Sequence, residues 1–278
     1  CTASSSTNSS ATLTKSLRLD AELVRRGLAG SRTEARLAIE AGVVLVNGLP
    51  ATRPATRVTP ASSVSLEAPA RRFVSRGGEK LDGALRRLDV AVAERAWLDA
   101  GASTGGFTDR LLQGGARAVV AVDVGYGQFD WSLRNDGRVT LLERTNVRNL
   151  LPGALPFAPE GIVADLSFIS LTVVLPALVG VAAPGADFVL MVKPQFEVGR
   201  DAVGRKGVVR DPAMWRIALK RVVEDARSLG LSLVGAVPSE VAGPAGNREF
   251  FVHLRRHAPH NEAAIEAAVR ELSGGEVR

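Results

Sequence analysis

The sequence predicts an α/β protein with a doubly wound, mostly parallel sheet, preceded by a smaller α+β domain. From residue 97 onward, short apolar segments alternate with segments of helical periodicity. The apolar segments are continuous, which is typical of a parallel sheet covered by helices on both faces. A chain of 278 residues, of which 46% are hydrophobic, is long enough for one large core and a small second module.

The first third of the chain predicts two short helices and a hairpin. The segment "RLDAELVRRGLAGSRTEARLAIEAGVVLVNGLPA" (18–51) contains one helix, then Ser31 and Glu34 as the capping box of a second helix. Leu37 and Ile39 supply apolar positions in that second helix. The stretch "VVLVNGLPA" then predicts a strand that runs into an Asn-Gly turn.

The rest of the chain predicts the elements of the large sheet in order. A helix begins near Lys80, and the strand "WLDAG" leads through a loop to a helix at about 105–113. The strands "AVVAVDVG", "VTLLERT" and "GIVADLSFI" follow, then a helix through the 170s. After the strand "DFVLMVKPQF" and a helix at about 211–229, "LSLVGAV" and "EFFVHLRR" predict a final antiparallel pair, and "NEAAIEAAVREL" predicts an amphipathic helix.

These elements divide the chain into four predicted segments. Residues 1–14 are uncharged and rich in Ser and Thr, which predicts a disordered tether. Residues 15–66 form the small domain, residues 67–76 a linker, and residues 77–278 the large domain.

The excess positive charge lies in the first part of the chain. The net charge is +6; residues 15–80 contain 12 basic and 6 acidic side chains, whereas residues 81–278 contain 23 of each. A local basic surplus is expected of a nucleic-acid-binding module, but a solvated basic face has the same composition. The candidate RNA-binding residues on the two short helices are Arg18, Arg25, Arg26, Arg32 and Arg36.

Composition argues against metal sites and membrane spans. The single cysteine, Cys1, excludes an intramolecular disulfide and a zinc site built from cysteines. The three histidines lie close together near the C-terminus without a cysteine or carboxylate to complete a ligand set, so we expect no metal. The longest uncharged stretch, between Asp165 and Asp187, is interrupted by prolines and is better explained as helix, loop and strand of a buried core.

The segment "LDAGASTGGF" (98–107) connects the first strand of the large domain to the following helix. The spacing of Gly101, Gly105 and Gly106 differs from the dinucleotide pattern G-x-G-x-x-G, and the segment lacks the lysine of a phosphate-binding P-loop. Asp123, at the end of the second strand, is placed where a carboxylate can accept hydrogen bonds from both ribose hydroxyls of a nucleoside. The pattern fits either such a ligand or a tight structural turn.

Four charged residues border predicted strands. Asp165 ends "GIVAD", Lys193 ends "FVLMVK", Glu249 opens "EFFVHL", and Lys80 precedes the first strand. Each alone could be a solvated strand end. Lys193, however, follows the apolar residues "VLMV" and precedes a proline, so its ammonium group requires an opening to solvent or to a cavity. Four such groups at one edge of a sheet would favour a polar site there.

The N-terminal pattern R-L-D…R-G-L-x-x-S-R-x-x-A…I-x-A-G-x-V-x-V-N-G resembles the small RNA-binding fold named after a protein of the ribosomal small subunit. Behind it come "SRGGEKL", "LDAGASTGGFT", "VDVGYGQ", "ADLSFISL", "VKPQFEVG" and "GNREFF". From about Arg18 to Arg255 this combination resembles the TlyA family of bacterial rRNA (cytidine-2′-O)-methyltransferases, sometimes labelled haemolysins. The resemblance implies a Rossmann-like methyltransferase sheet of the FtsJ type, with a catalytic set of Lys80, Asp165, Lys193 and Glu249.

The same resemblance implies S-adenosyl-L-methionine as cofactor, held by the loop after the first strand and by the ends of the neighbouring strands. The residues expected to surround it are Asp99, Gly101, Ala102, Ser103, Thr104, Gly105, Gly106, Phe107, Asp123, Val124, Thr145, Asn146 and Asp165. Removal of the ribose 2′-OH proton and alignment of oxygen, methyl and sulfur require no metal. We take Lys193 as the candidate base, with Asp165 orienting it and Glu249 positioning Lys80 or the substrate ribose.

The resemblance also implies ribosomal RNA within ribosomal subunits as partner, a cytoplasmic location and a monomer. Family members that modify both subunits carry a short basic extension before the RNA-binding module, and here that place is held by the uncharged residues 1–14 and "KSL". We therefore expect 23S rRNA as the target, with 16S rRNA as a possible second one. Two alternatives stay open: a non-catalytic RNA-binding assembly factor, and a membrane-active haemolysin.

Overall fold

The computed structural model of the chain describes residues 16–40, 42–66, 72–199, 202–204, 207–243 and 246–274. The predicted tether over residues 1–14 and much of the predicted linker lie outside these residues. The chain divides into two compact units, Cys1–Arg71 and Arg72–Arg278, each with its own hydrophobic core.

The first unit contains two helices and two small sheets. Its elements are β1 (Leu17–Arg18), α1 (Leu19–Arg25), α2 (Arg32–Glu40), β2 (Val44–Val46), β3 (Leu49–Pro50), β4 (Arg57–Val58) and β5 (Val64–Leu66). β1 pairs with β4, and β2 lies between β3 and β5, all antiparallel. Asn47 and Gly48 have positive φ angles, as the tight turn between β2 and β3 requires.

The start of α2 follows the predicted capping pattern. The backbone N–H of Glu34 donates to Ser31 Oγ at 3.2 Å, and the Glu34 carboxylate accepts from the backbone N–H of Gly30 at 2.7 Å. Of the two apolar positions named for this helix, Ile39 is buried, whereas the side chain of Leu37 is 63% exposed. Ala35 and Ile39, four residues apart, form the buried face, and Leu37 lies midway between them on the opposite side of the helix.

The second unit is a seven-stranded sheet with helices on both faces. Its elements are α3 (Arg76–Arg87), β6 (Ala96–Ala100), α4 (Gly106–Gln113), β7 (Ala118–Val122), α5 (Trp131–Arg134), β8 (Val139–Leu142), a 3-10 turn (Val147–Asn149), β9 (Gly161–Ala164), α6 (Leu171–Val181), β10 (Asp187–Val192), α7 (Pro194–Glu197), α8 (Pro212–Ser228), β11 (Leu231–Pro238), β12 (Phe250–Arg256) and α9 (Ala263–Ser273). The strand order is β11-β12-β10-β9-β6-β7-β8.

The sheet has the predicted mixture of strand directions. β6 to β10 are mutually parallel, and β12 is antiparallel to both of its neighbours, β10 and β11. Successive residues of a strand point to opposite faces, so Trp97 joins one hydrophobic core, and Leu98 the other. This two-sided burial explains why the strands are continuous apolar runs in the sequence.

Several element boundaries differ from the sequence prediction, and two of the differences matter at the edge where the parallel strands end, here called the upper edge of the sheet. α3 begins at Arg76, four residues before Lys80, because Ser75 caps it by accepting a hydrogen bond from the backbone N–H of Gly77. β9 ends at Ala164, so the residues from Asp165 onward form a loop and not a continuation of the strand. Both corrections place more residues in loops and helix ends at that edge.

The opposite edge of the sheet holds a buried polar cluster. His253 Nε2 lies 2.6 Å from Asp187 Oδ1, and Arg95 forms an ion pair with Asp187 Oδ2 at 2.8 Å. Within the described residues, no group of three or more His, Cys, Asp or Glu side chains could hold a metal ion. Across the same part of the chain, no helix is both long and apolar enough to cross a membrane.

The register between β6 and β9 depends on a residue without a side chain. Trp97 is fully buried and lies opposite Gly161 in the parallel pair. A Cβ atom at Gly161 would overlap the six-membered ring of Trp97. The indole therefore occupies the space that any larger residue at position 161 would need.

We expect Gly161→Ala to lower the free energy of unfolding of the second unit by about 1–3 kcal/mol, because overpacking displaces a buried ring. Denaturant unfolding followed by tryptophan fluorescence measures this, since all three tryptophans lie in the second unit. Gly185→Ala is the matched control, because a Cβ there meets no atom within 4 Å. Equal stability of the two variants would contradict the described packing of β6 on β9.

Candidate active site

The loop after β6 turns sharply beneath the upper edge of the sheet. Gly101 and Gly105 have φ angles of +88° and +95°, and α4 starts at the next residue, Gly106. A Cβ atom on Gly101 would lie 2.6 Å from the carbonyl oxygen of Asp165, so the loop after β9 packs directly on this glycine. The backbone N–H of Asp165 also donates to the carbonyl of Ala100 at 3.0 Å. The loops after β6 and β9 are therefore fixed against each other.

Asp123, directly after β7, organises the neighbouring loop. Its Oδ2 accepts from the backbone N–H of Ser103 at 2.8 Å, and its Oδ1 accepts from the backbone N–H of Gly125 at 2.6 Å and from Gln128 Nε2 at 3.2 Å. The turn interpretation of Asp123 thus has direct support. The same carboxylate also lines a cavity, so the turn contacts and a ligand contact are compatible.

Two buried lysine–carboxylate pairs lie at this edge. Lys80 Nζ, from α3, is 2.6 Å from Glu249 Oε2, just before β12. Lys193 Nζ, directly after β10, is 2.5 Å from Asp165 Oδ1, directly after β9. Lys80, Lys193 and Glu249 are each less than 10% exposed. A buried ammonium requires such a partner, so each pair compensates its own charge.

All four side chains line one cavity of about 290 Å³, together with the loop residues Ala102, Thr104, Gly106 and Phe107. A second cavity of about 440 Å³ is lined by Asp123, Val124, Thr145 and Asn146, among others. Gly101, Ser103, Asp165 and Ser167 line both cavities. The two cavities therefore adjoin, and one molecule could occupy both.

Two predicted site residues line neither cavity. Asp99 is fully buried in β6 beneath the loop, where its Oδ2 accepts from Thr108 Oγ1 at 2.7 Å. Gly105 faces the side chains of Leu133 and Phe129. These two residues shape the loop from below and from the side, while the other predicted cofactor residues reach a cavity wall.

Several cavity residues were missed in the sequence. Ser75, Arg76 and Gly77 line the first cavity because α3 starts earlier than predicted. Ser167 lines both cavities, and Phe168, which is 92% exposed with a φ of +63°, lines the second. The sequence signal for Ser167 and Phe168 was the polar interruption "DLS" directly after the apolar run of β9.

Burial raises the pKa of Asp99 to about 7, and the nearby carboxylates of Asp165 and Asp123 act in the same direction. The hydrogen bond from Thr108 opposes the shift. One carboxyl oxygen, Oδ1, is buried without a partner among the described residues. Asp99 is therefore a carboxyl group that the fold favours in its protonated form.

The five predicted RNA-binding arginines of the first unit have different surroundings. Arg26 is the least exposed, and its guanidinium donates to Glu22 and to the backbone carbonyls of Ser62, Thr59 and Pro60. That arginine holds the turn before β5. Arg25 also pairs with Glu22, at 2.6 Å, but keeps 56% of its side chain exposed.

The other three arginines line one concave surface of the first unit. Arg18 and Arg32 both reach Asp20 at 3.0 Å, and Arg36 lies 3.5 Å from Glu40. All three line a cavity and keep between 44% and 62% of their side chains exposed. This surface is where the first unit presents clustered positive charge.

We expect Asp99→Asn to raise stability more at pH 8 than near pH 4. An aspartate in an unfolded chain has a pKa near 3.9, so folding takes up a proton between about pH 4 and 7, and the wild type loses stability as pH rises through this window. Asparagine keeps an acceptor for Thr108 and carries no charge. Denaturant unfolding at both pH values measures the difference, and an equal effect at both would contradict the raised pKa.

Comparison with known proteins agrees with this architecture. Residues 73–256 match the FtsJ-like methyltransferase family, and residues 17–64 match the S4 domain. The 16S/23S rRNA (cytidine-2′-O)-methyltransferase TlyA of Mycobacterium tuberculosis is 54% identical over 93% of this chain and 98% of its own length. Hemolysin A of Brachyspira hyodysenteriae is 35% identical over 86% of this chain and 99% of its own length.

A solved structure gives the same result. A provisionally named hemolysin from Streptococcus thermophilus is 36% identical, with a TM-score of 0.70, and the match covers 95% of this chain and all of that one. The family match spans the sheet and all four residues of the two buried ion pairs. The chain therefore belongs to the TlyA family of FtsJ-like methyltransferases, with an S4 domain on its N-terminal side.

Proposed function

We propose that the protein transfers a methyl group from S-adenosylmethionine to the ribose 2′-oxygen of a cytidine in 23S rRNA. The observation that carries this proposal is the pair of buried lysine–carboxylate contacts on the wall of one cavity, next to a second cavity lined by Asp123. Family membership supports the reaction type.

The residues present fit S-adenosylmethionine. Asp123 presents a carboxylate to the second cavity, where Thr145 and Asn146 supply the neighbouring wall, so this cavity suits the ribose and adenine of a nucleoside. The first cavity, with the small residues of the loop at 101–106, suits the amino-acid portion. When bound, S-adenosylmethionine supplies a methyl group already activated by its sulfonium sulfur, so the protein has to supply a base and alignment.

Lys193 is the proposed base. A neutral Nζ would accept the proton of the ribose 2′-hydroxyl as the oxygen takes the methyl group, and the resulting ammonium is stabilised by Asp165 at 2.5 Å. The proton then passes to solvent through the open side of the cavity.

Lys80 and Glu249 are proposed to position the substrate. Their ion pair is nearly closed to solvent, and the 2.6 Å contact fixes both side chains. Lys80 Nζ can donate a further hydrogen bond to a ribose oxygen, because an ammonium has three hydrogens. These two residues thus hold the hydroxyl oxygen in line with the methyl group and are not needed as bases.

The first unit supplies the proposed contact with RNA. The surface formed by Arg18, Arg32 and Arg36 carries clustered positive charge and is open to solvent, and arginine is well suited to phosphate oxygens. The ribosomal target is proposed from the relatives: that of M. tuberculosis is named for 16S and 23S rRNA, and one from Campylobacter jejuni, 34% identical, for 23S rRNA. Such a substrate would place the protein in the cytoplasm.

The proposal predicts transfer of labelled methyl from S-adenosylmethionine to purified, unmodified 50S subunits. Nuclease digestion and mass spectrometry should locate the label on the ribose of one cytidine. Unmodified 30S subunits form the second arm, which decides whether 16S rRNA is also a target.

Label on a base would contradict the reaction type. No transfer to either subunit, with S-adenosylmethionine binding measured by calorimetry, would support a non-catalytic RNA-binding factor instead.

Two substitutions of Lys193 distinguish a catalytic base from a side chain that acts only through its positive charge. Lys193→Ala should lower kcat by at least about 10²–10⁴-fold, the usual contribution of a general base. Lys193→Arg keeps the charge but cannot act as a base at ordinary pH, so it should be as inactive as the alanine variant. Single-turnover methylation of 50S subunits gives the rate, and calorimetry gives the cofactor affinity separately, so that a loss of chemistry is distinguished from a loss of binding. An active arginine variant would assign Lys193 an electrostatic role.

A further inference from the structure

Lys193 has a second polar partner that neither the catalytic set nor the cofactor residues include. Its Nζ donates a hydrogen bond to Ser167 Oγ at 2.9 Å, in addition to the ion pair with Asp165. Ser167 is exposed on the loop after β9 and lines both cavities. We infer that Ser167 is a positioning residue that aims the reactive nitrogen of Lys193 at the substrate. The inference rests on the proposed function of Lys193 as base.

The argument follows from the geometry of an amine. A neutral lysine Nζ has two hydrogens and one lone pair, arranged tetrahedrally with Cε. With one hydrogen donated to Ser167 and Nζ held 2.5 Å from Asp165 Oδ1, the directions open to the lone pair are restricted. Among the described residues Nζ has no other hydrogen-bond or ion-pair partner, so the lone pair is left to face the cavity that Lys193 lines. With Asp165 alone, the amine could rotate about Cε–Nζ and turn its lone pair away.

Ser167 is well fixed for this role, because its loop contacts the residues after β10 at several points. Besides the two contacts with Lys193, the rings of Phe168 and Phe196 lie 5.4 Å apart between centroids. The Glu197 carboxylate accepts from Ser170 Oγ at 2.5 Å and from the backbone N–H of Leu171 at 2.8 Å. The loop at 165–171 and the segment at 193–197 are therefore held together along their length.

The backbone next to Ser167 is also unusual. Phe168 has a φ of +63°, a conformation that bulky residues rarely adopt, and its side chain is 92% exposed. Such a conformation persists only where neighbouring contacts hold it in place. The chain bends at this point, directly after Ser167, whose hydroxyl accepts the hydrogen bond from Lys193.

The test compares Ser167→Ala with Ser167→Thr and with Ser228→Ala as matched control. Ser228 is an exposed serine at the end of α8 whose hydroxyl donates to the Asp225 carbonyl, and it lines neither cavity. Single-turnover methylation of unmodified 50S subunits gives the rate, and calorimetry gives the affinity for S-adenosylmethionine. Thermal unfolding of each variant checks that the fold is intact.

Ser167→Ala should lower the rate about tenfold to a hundredfold, as expected for one lost hydrogen bond to a charged group. Cofactor affinity and the KM for 50S subunits should stay within about threefold of wild type. Ser167→Thr keeps the hydroxyl and should restore the rate to within about threefold.

An unchanged rate in Ser167→Ala would overturn the inference. So would an equal loss in the threonine variant, or a loss explained by cofactor affinity, since either would indicate a packing role. Failure of the proposed function gives a different result. In that case Lys193→Arg would be active or the wild type would transfer no methyl group, and the inference about Ser167 would fail together with the proposed function. If Lys193→Arg is inactive and Ser167→Ala resembles wild type, only the inference about Ser167 fails.

Discussion

The structure of the site depends on the burial of two lysine ammonium groups at one edge of the sheet. A buried ammonium is stable only beside a carboxylate, and here each has one within 2.6 Å. Lys193 and Asp165 meet because β10 and β9 are adjacent and parallel, so the residues that follow them leave the sheet side by side. Lys80 meets Glu249 across 169 residues of sequence, because α3 packs where β12 begins. The sheet order is therefore what makes these charges tolerable.

The same arrangement places the two ion pairs beside the space proposed for the methyl donor. Asp123 and the residues after β8 bound one cavity, and the two ion pairs lie on the wall of the other. Gly101, which has no side chain, allows the loops after β6 and β9 to approach closely enough for the cavities to adjoin. A donor that spans both cavities would pass Asp165 and Ser167, which line both of them, beside Lys193.

Some residues contribute to both folding and the proposed function. Asp123 accepts hydrogen bonds from Ser103 and Gly125, so it shapes the loop that surrounds its own cavity. Asp99 lies beneath that loop as a buried carboxyl whose pKa is about 7, at a cost in stability above that pH. In the first unit, Arg26 stabilises the turn before β5, while Arg18, Arg32 and Arg36 keep their guanidinium groups largely exposed. Residue type alone did not show which of these side chains stabilise the fold and which are available for binding.

The sequence by itself determined the class of fold, the order of its strands and helices, and the polar residues at strand ends, because hydrophobic periodicity and strand-ending charges are local properties of the chain. It could not determine where α3 begins, that Leu37 is exposed, or that Asp99 lies below the cavity, since these depend on which surfaces pack together. The resemblance to a family supplied the members of the catalytic set and the expectation that Asp165 orients Lys193, whereas the tertiary structure decided that Glu249 pairs with Lys80 and added Ser167. Contacts between segments far apart in the chain have no local signal, because they arise from the sheet order and not from neighbouring residues.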